Sequence, residues 1–396
     1  TGATNTAVGR NTLASNTTGG TNTAVGYGSL LQNIGASNNT AVGYNALENN
    51  TTGTNNNALG ANSLDANTTG SHNVAVGRNA LGANTTASEN TALGHETLAA
   101  NTTGAYNVAI GSSALDANTT ASSNTAVGSA ALGANTTGTY NVAVGAAALD
   151  ANTTGSYNNA LGKGALGSNT TAEENTAIGN DAMLDNTTGA NNTAVGSSAL
   201  ANNTTASSNV AVGRHALLSN TTGAYNTAVG AAALDAATTG GDNTALGYGT
   251  LSGVTTATGN TAVGTYSNDA ACTGISNTSI GYYSLSANTS GAYGTAVGLN
   301  ALRANTTGTG NIAVGTGALD ANTTGSYNAG FGYNALGANT TADNNVAVGR
   351  NALGANTTGT SNVGVGYAAL TANTTASNNT CIGAATGDST VTTGGG

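Results

Sequence analysis

The sequence of 396 residues has no proline or tryptophan, one phenylalanine and two cysteines, and only 6% of its residues are charged. It has one lysine, Lys163, and no basic stripe, which argues against nucleic-acid binding. The net charge of -10 comes from scattered acids, too dilute for an acidic tail. No apolar run reaches the roughly 18 residues that would predict a membrane-spanning helix.

What the sequence does have is a glycine every 17 residues, from Gly9 to Gly383, in 23 copies without insertion or deletion. Each copy reads approximately N-T-A-V-G-x-x-A-L-x-A-N-T-T-G-x-x. A strict period of this length is typical of solenoids, in which each coil lies in register on the previous one. We predict a single repeat array over residues 1–385 and a degenerate exit segment over 386–396.

We number the positions of one coil from 1 to 17, starting at the Asn four residues before the periodic glycine, and call equivalent positions a column. Columns 1 and 12 are mostly Asn, column 3 is small, column 4 is apolar and column 9 is mostly Leu. The pattern predicts an all-β fold, a parallel β-solenoid of 23 coils. N-T-A-V is predicted to be a strand ending at Gly, and A-L-x-A-N-T-T a second extended segment. Stacked Asn and Thr are expected to form ladders.

Column 4 predicts a partner. Adjacent strand residues face opposite sides, so if the small column 3 points inwards, column 4 forms an apolar stripe on the outside. Such a stripe needs a cover, and further copies of the chain are the simplest one. The alternative is that Val and Leu both point inwards and Ala outwards. Members of the expected interface are Val8, Val25, Val42, Val76, Val127 and Val144.

Tyrosine marks a candidate contact edge. All 14 tyrosines fall in columns 6, 7 and 17. Tyrosine beside a turn is suited to contact sugars or proteins, although it can also shield the turn or a seam between chains. The column 17 tyrosines, all in coils with Gly in column 15, are Tyr106, Tyr140, Tyr157, Tyr225, Tyr293 and Tyr327.

The remaining polar residues do not predict catalysis or a cofactor. The three histidines, His72, His95 and His215, share no column, whereas a metal or catalytic site needs convergent ligands. The column 10 acids are sporadic and read as solvated charge: Asp65, Asp116, Asp150, Asp235 and Asp320.

The N-T-T corner allows two further interpretations. Asn67, Asn152 and Asn356 match the N-glycosylation acceptor, but an internal ladder produces the same letters. Threonine ladders also suggest ice binding, although the neighbouring threonines of columns 13 and 14 are expected to face apart.

One stretch breaks the pattern. Coils 14 to 16 have Ala237, Val254 and Ala271 in place of the column 12 Asn, and Asn268 interrupts column 9. We expect a bend or weak joint there.

The motifs N-T-A-V-G and N-V-A-V-G resemble the YadA-like head repeat of trimeric autotransporter adhesins, which is commonly shorter. The 17-residue form, as in Asn39–Asn55, is similar to arrays in bacterial and phage tail-fibre-like proteins. The resemblance implies a left-handed parallel β-roll with three chains around an axis, on a cell or virion surface.

Together these features predict a non-enzymatic extracellular rod, an adhesin or tail-fibre-like stalk or head that gives rigid display and multivalent surface contact. The alternatives are a single-chain solenoid subunit of an extracellular filament, or an ice- or glycan-binding solenoid. No cofactor is expected.

Overall fold

A computed structural model describes residues 2–387, which form 23 parallel β-strands of three residues each and contain no helix. The predicted all-β parallel solenoid is confirmed. The chain divides between Ser197 and Ser198 into two compact units. Most of the predicted exit segment, residues 388–396, lies outside the described residues.

The first unit contains twelve strands, which pair in chain order. They are β1 (Thr6–Val8), β2 (Thr23–Val25), β3 (Thr40–Val42), β4 (Asn57–Leu59), β5 (Val74–Val76), β6 (Thr91–Leu93), β7 (Val108–Ile110), β8 (Thr125–Val127), β9 (Val142–Val144), β10 (Asn159–Leu161), β11 (Thr176–Ile178) and β12 (Thr193–Val195).

The second unit contains eleven strands, which also pair in chain order. They are β13 (Val210–Val212), β14 (Thr227–Val229), β15 (Thr244–Leu246), β16 (Thr261–Val263), β17 (Thr278–Ile280), β18 (Thr295–Val297), β19 (Ile312–Val314), β20 (Ala329–Phe331), β21 (Val346–Val348), β22 (Val363–Val365) and β23 (Thr380–Ile382).

Each strand occupies columns 2 to 4 and ends at the periodic glycine. Within a unit, a residue pairs with the residue one coil later; Ala24, for example, pairs with Ala41. Gly60 has a φ of +141°, and a Cβ on it would lie 2.5 Å from the carbonyl oxygen of Gly77 in the next coil. Column 5 is therefore glycine because the neighbouring coil leaves no room for a side chain and because few other residues adopt this φ.

Columns 6 to 11 form consecutive turns, so the predicted second extended segment is wrong in its first four columns, 8 to 11. Asn45 and Leu47, in columns 7 and 9, have left-handed φ values of 53° and 52°. Ala46 and Leu47 are both fully buried. Neighbours in an extended segment would face opposite sides, so the left-handed turns allow both residues to face the core.

The turns are hydrogen-bonded to the coils on either side. The amide of Asn45 donates to the carbonyl of Tyr27 in the preceding coil over 2.8 Å, and that of Leu47 donates to Ser63 in the following coil over 3.0 Å. The buried backbone of the turn therefore has partners, as buried amides and carbonyls require.

Asparagine fills the polar half of the interior. Asn39 and Asn50, in columns 1 and 12, each donate a side-chain N–H to the carbonyl of Gly53, at 2.9 Å in both cases. Asn50 also donates to the side-chain oxygen of Asn33, one coil earlier, over 3.2 Å. The predicted amide ladder is confirmed in column 12. In column 1 the ladder runs from the Asn39 side-chain oxygen to the backbone amide of Asn56.

The column 12 ladder is interrupted in the second unit, where the sequence predicted it. The side-chain oxygen of Asn220 has no hydrogen-bond partner, because Ala237 follows it in the column. Farther along, Asn288 donates over 3.0 Å to the sulfur of Cys272, which replaces the missing asparagine from column 13.

Column 9 is also interrupted there. Asn268 takes the place of the usual leucine, is fully buried, and neither of its side-chain polar atoms has a partner. Beside it, the Ser267 hydroxyl contacts the hydroxyls of Ser279 and Ser284 at 2.7 and 2.9 Å. The interior of these coils is thus more polar than that of a standard coil.

Candidate interaction surface

The outward face of the strands consists of columns 2 and 4. In β5, Ala75 is fully buried, whereas Val74 and Val76 are partly exposed. The same alternation recurs in strands β2 to β22. The predicted outward direction of column 4 is confirmed, and the alternative in which Val points inwards and Ala outwards is wrong.

We call the exposed column 4 side chains the apolar stripe, and each unit has one. In the first unit, Val8 is 58% exposed and the other predicted members are partly exposed. Larger side chains also lie in the stripe: Leu59, Leu93, Ile110, Leu161 and Ile178 in the first unit, and Leu246, Ile280, Phe331 and Ile382 in the second. A run of apolar side chains at strand spacing is an unusual surface for a protein without a partner.

The six predicted column 17 tyrosines are all exposed, Tyr225 most of all at 68%. Each precedes its strand by two residues and has a left-handed φ, which turns it out of the strand. The structure brings together Tyr140 and Tyr157, whose rings stack with centroids 5.3 Å apart. The other four have no tyrosine in column 17 of the adjacent coils, so the predicted edge is discontinuous.

Sequence reasoning missed a second edge at column 6, just after the glycine corner. The signal was available, because most basic residues and many tyrosines share this column. Its members include Arg10, Tyr27, Tyr44, Arg78, Lys163, Arg214, Tyr248, Tyr282, Tyr333, Arg350 and Tyr367. Arg10 lies over the Tyr27 ring at 6.0 Å, and Tyr27 stacks on Tyr44 at 5.4 Å. Arg10 therefore lies against the aromatic ring next to it in the column.

One group of rings stands out in the second unit. Tyr248, Tyr266, Tyr282 and Tyr283 form what we call the tyrosine cluster. Tyr266 and Tyr283 stack with centroids 5.4 Å apart, Tyr248 meets Tyr266 edge-on at 5.4 Å, and Tyr282 meets Tyr283 edge-on at 4.4 Å. Such stacked and T-shaped arrangements are the favoured geometries of aromatic pairs.

The side chains of the tyrosine cluster also influence one another electrostatically. Interaction with the side chain of Tyr248 raises the pKa of Tyr266, and interaction with that of Tyr282 raises the pKa of Tyr283. Burial and the nearby charge of Asp269 act in the same direction on both groups. Tyr266 and Tyr283 are therefore protonated and uncharged at neutral pH.

Among residues 2–387, the acids and histidines do not converge on a metal site. Burial raises the pKa of four column 10 carboxyls, those of Asp65, Asp116, Asp150 and Asp235. His95 contacts Arg78 at 3.1 Å and Glu96 at 3.6 Å, and all three side chains are solvent-accessible. Among residues 2–387, no group of three His, Cys, Asp or Glu side chains could hold a metal ion.

The N-T-T corner is internal at its first residue and external at its third. Asn152 is fully buried and donates to Asn135 and Gly155, which leaves no room for a glycan in the folded chain. The Thr153 hydroxyl donates to the carbonyl of Thr170 over 3.0 Å, so the expected threonine ladder runs through carbonyls instead of hydroxyls. Thr154 is exposed. At this corner, the column 14 threonine is therefore the one that faces the solvent.

Comparison with known proteins does not identify a family. No family model matches the chain, and no curated protein matches it. Residues 2–387 contain no helix that is long and apolar enough to span a membrane.

Proposed function

We propose that the chain is a non-enzymatic structural protein of a cell or virion surface, a stalk or head of the adhesin or tail-fibre type. Three copies associate through the apolar stripe and display the tyrosine- and arginine-bearing edges in many repeated positions. The observation that carries the proposal is the outward direction of column 4 in both units. The number three and the surface location rest on the resemblance to trimeric adhesin heads.

The interior supports the need for a partner. A standard coil buries one large apolar side chain, such as Leu149, together with two alanines, Ala143 and Ala148. The rest of its interior is asparagine. Burying a leucine is worth about 1.5–3 kcal/mol, so each coil has a thin apolar core. Covering the stripe would add one further branched side chain per coil to the buried surface.

The edges support multivalent contact. Exposed Tyr and Arg recur at the two ends of the strands, and these residue types are enriched where proteins bind partners. Many weak contacts on one assembly give avidity without a strong single site.

The test is the solution mass of the purified chain by analytical ultracentrifugation. We expect a trimer that persists on dilution. A folded monomer at low concentration would overturn the proposal.

Paired variants locate the interface. Val127→Asp with Val144→Asp places two charges in the stripe. This double variant should yield folded monomers, or soluble assemblies of fewer than three chains. Thr120→Asp with Thr137→Asp adds the same charges on the exposed corner of column 14 and should leave the trimer intact. Equal behaviour of the two pairs would contradict an interface at the stripe.

A single-chain filament subunit is the second candidate. It is favoured by the observation that, within each unit, one chain alone closes the Asn ladders and buries column 9. Electron microscopy of the purified protein distinguishes the candidates, because only this one predicts long filaments of monomers joined end to end.

A further inference from the structure

We infer that the tyrosine cluster is a binding platform for a neutral saccharide. The cluster belongs to the second unit and occupies columns 6 and 7 of three consecutive coils, residues 243–293. The inference concerns one site and does not depend on the oligomeric state proposed above.

Column 6 contains two pairs of tyrosines whose members lie two coils apart, and these two pairs can be compared directly. In the first, Arg350 stands between Tyr333 and Tyr367, and its guanidinium carbon lies 5.7 and 6.0 Å from the two ring centroids. Those rings are already occupied by a cation. In the second pair, Thr265 stands between Tyr248 and Tyr282. A threonine is too short to cover either ring as Arg350 does, so we call Tyr248 and Tyr282 the open pair.

Two further tyrosines of the cluster contact the open pair. Tyr266 and Tyr283 stack on each other, and each meets one ring of the open pair edge-on. Gly249 makes room for this arrangement, because a Cβ there would lie 2.9 Å from the Tyr266 ring. Tyr248 and Tyr282 are nevertheless 53% and 50% exposed. A rigid aromatic pair that remains exposed loses little conformational entropy when it binds a ligand.

The spacing suits an extended chain of sugar rings. Two coils at the strand spacing separate the two positions by roughly 9.6 Å. This is close to the length of two pyranose rings joined in an extended oligosaccharide, so every second ring of such a chain could lie on one tyrosine. Pyranose C–H groups pack on aromatic faces, while sugar hydroxyls bond to phenol and carboxylate oxygens.

Charge selects a neutral ligand. Asp269 is the only charged residue in residues 243–293, so the site has no cation to pair with a phosphate, sulfate or sugar acid. Asp269 is close enough to Tyr266 and Tyr283 to affect both electrostatically, and its carboxylate can accept a sugar hydroxyl.

Shielding the irregular interior does not account for the cluster. Ser267 and Asn268, the polar interior residues of the middle coil of the three, are fully buried. Rings that served only as a lid over them would themselves be expected to be largely buried, and the two column 6 rings are not.

The experiment is a titration by NMR and calorimetry of the full chain with cellohexaose, chitohexaose and maltohexaose. We expect saturable, weak binding of at least one of them. The acidic oligogalacturonate and tetramethylammonium are expected to bind more weakly. Failure of all three neutral probes, or preference for either charged probe, would overturn the inference.

Thr265→Arg is the decisive variant, since it reproduces the covered arrangement at Arg350 without removing a ring. It should weaken binding about tenfold or more, the effect of losing roughly one aromatic contact. Thr316→Arg makes the same change in column 6 outside the cluster and should have no effect. Equal effects of the two substitutions, or none from Thr265→Arg, would overturn the inference.

A second variant guards against misfolding. Tyr282→Leu keeps an apolar side chain but removes the ring and hydroxyl, and should also lose binding about tenfold while the melting temperature stays near that of the parent chain. A fall in melting temperature with unchanged binding would instead assign the ring a structural role. Ultracentrifugation of the same samples separates loss of the site from loss of the assembly.

Discussion

The side chains of Asn39 and Asn50 converge on one acceptor, the backbone carbonyl of Gly53, each donating over 2.9 Å. The pair connects the residue before a strand to the first residue of the N-T-T corner. It explains why two asparagine columns accompany the glycine period. A buried amide without such a partner would destabilise the coil by about 1–3 kcal/mol.

The asparagine ladder can be tested with two substitutions in the second unit. Asn322 donates to Asn305 and Gly325 and accepts from Asn339, each at 2.9 Å. Asn220 makes only the two donor bonds, because Ala237 follows it. Asn322→Ala should therefore lower the free energy of unfolding by about 1 kcal/mol more than Asn220→Ala. Native-state hydrogen exchange of the affected coils measures both, and equal losses would count against the ladder.

The glycines of columns 5 and 15 should differ in how well they tolerate substitution by alanine. Gly315 in column 5 has a φ of +138°, and an added Cβ would lie 2.4 Å from the Gly332 carbonyl oxygen. Gly315→Ala should destabilise the array by about 3 kcal/mol or more, from backbone strain together with the clash.

Gly308, in column 15, is the matched control. An added Cβ would also be crowded there, at 2.2 Å from the Gly325 oxygen, but the φ is not in the left-handed region and eight other coils carry alanine in this column. Gly308→Ala should be much milder than Gly315→Ala by thermal and urea denaturation. The reverse order would show that crowding, not φ, sets the tolerance.

Restoring column 9 should strengthen the irregular coil. Asn268→Leu removes two unpartnered polar atoms and adds a buried apolar side chain, so the free energy of unfolding should rise by about 2 kcal/mol or more. Leu319→Asn, the reverse change in a standard coil, should produce a loss of similar size. Hydrogen exchange in residues 260–276 should slow for the first variant; unchanged exchange would argue against a weak joint.

Acid should not destabilise this fold through its column 10 carboxyls. Burial raises the pKa of Asp65, Asp116, Asp150 and Asp235 in the folded state above the ordinary value of 3.8. Their contribution to stability is therefore fully present below 3.8 and is lost as the pH rises through the folded pKa. Reduced repulsion within a chain of net charge -10 acts in the same direction.

The melting temperature should accordingly hold or rise as the pH is lowered from neutral toward 3.8. The variant with all four aspartates replaced by asparagine should show a flatter profile. A melting temperature that fell steadily over this range, in both proteins alike, would contradict the role assigned to the four carboxyls.

Much of the interaction surface could be predicted from particular residues. Ala75 and Val76 are neighbours in a strand and therefore face opposite sides. Because the column of Ala75 holds only small residues, the sequence predicted that this column faces the core and that Val76 faces outwards. The column 17 tyrosines were identified as exposed, but their discontinuity and the column 6 edge were not. The pairing of Arg350 with two tyrosines depends on side chains from three coils, which no single repeat contains.

The sequence by itself determined the 17-residue period, the in-register pairing and the outward apolar stripe, because each follows from local alternation repeated without a slip. Only the tertiary structure decided the left-handed turn that buries Ala46 beside Leu47, the carbonyl shared by two asparagines, and the tyrosine cluster. These depend on contacts between residues one coil apart or across a coil. Such contacts are decided by how the coils stack, which composition and periodicity do not specify.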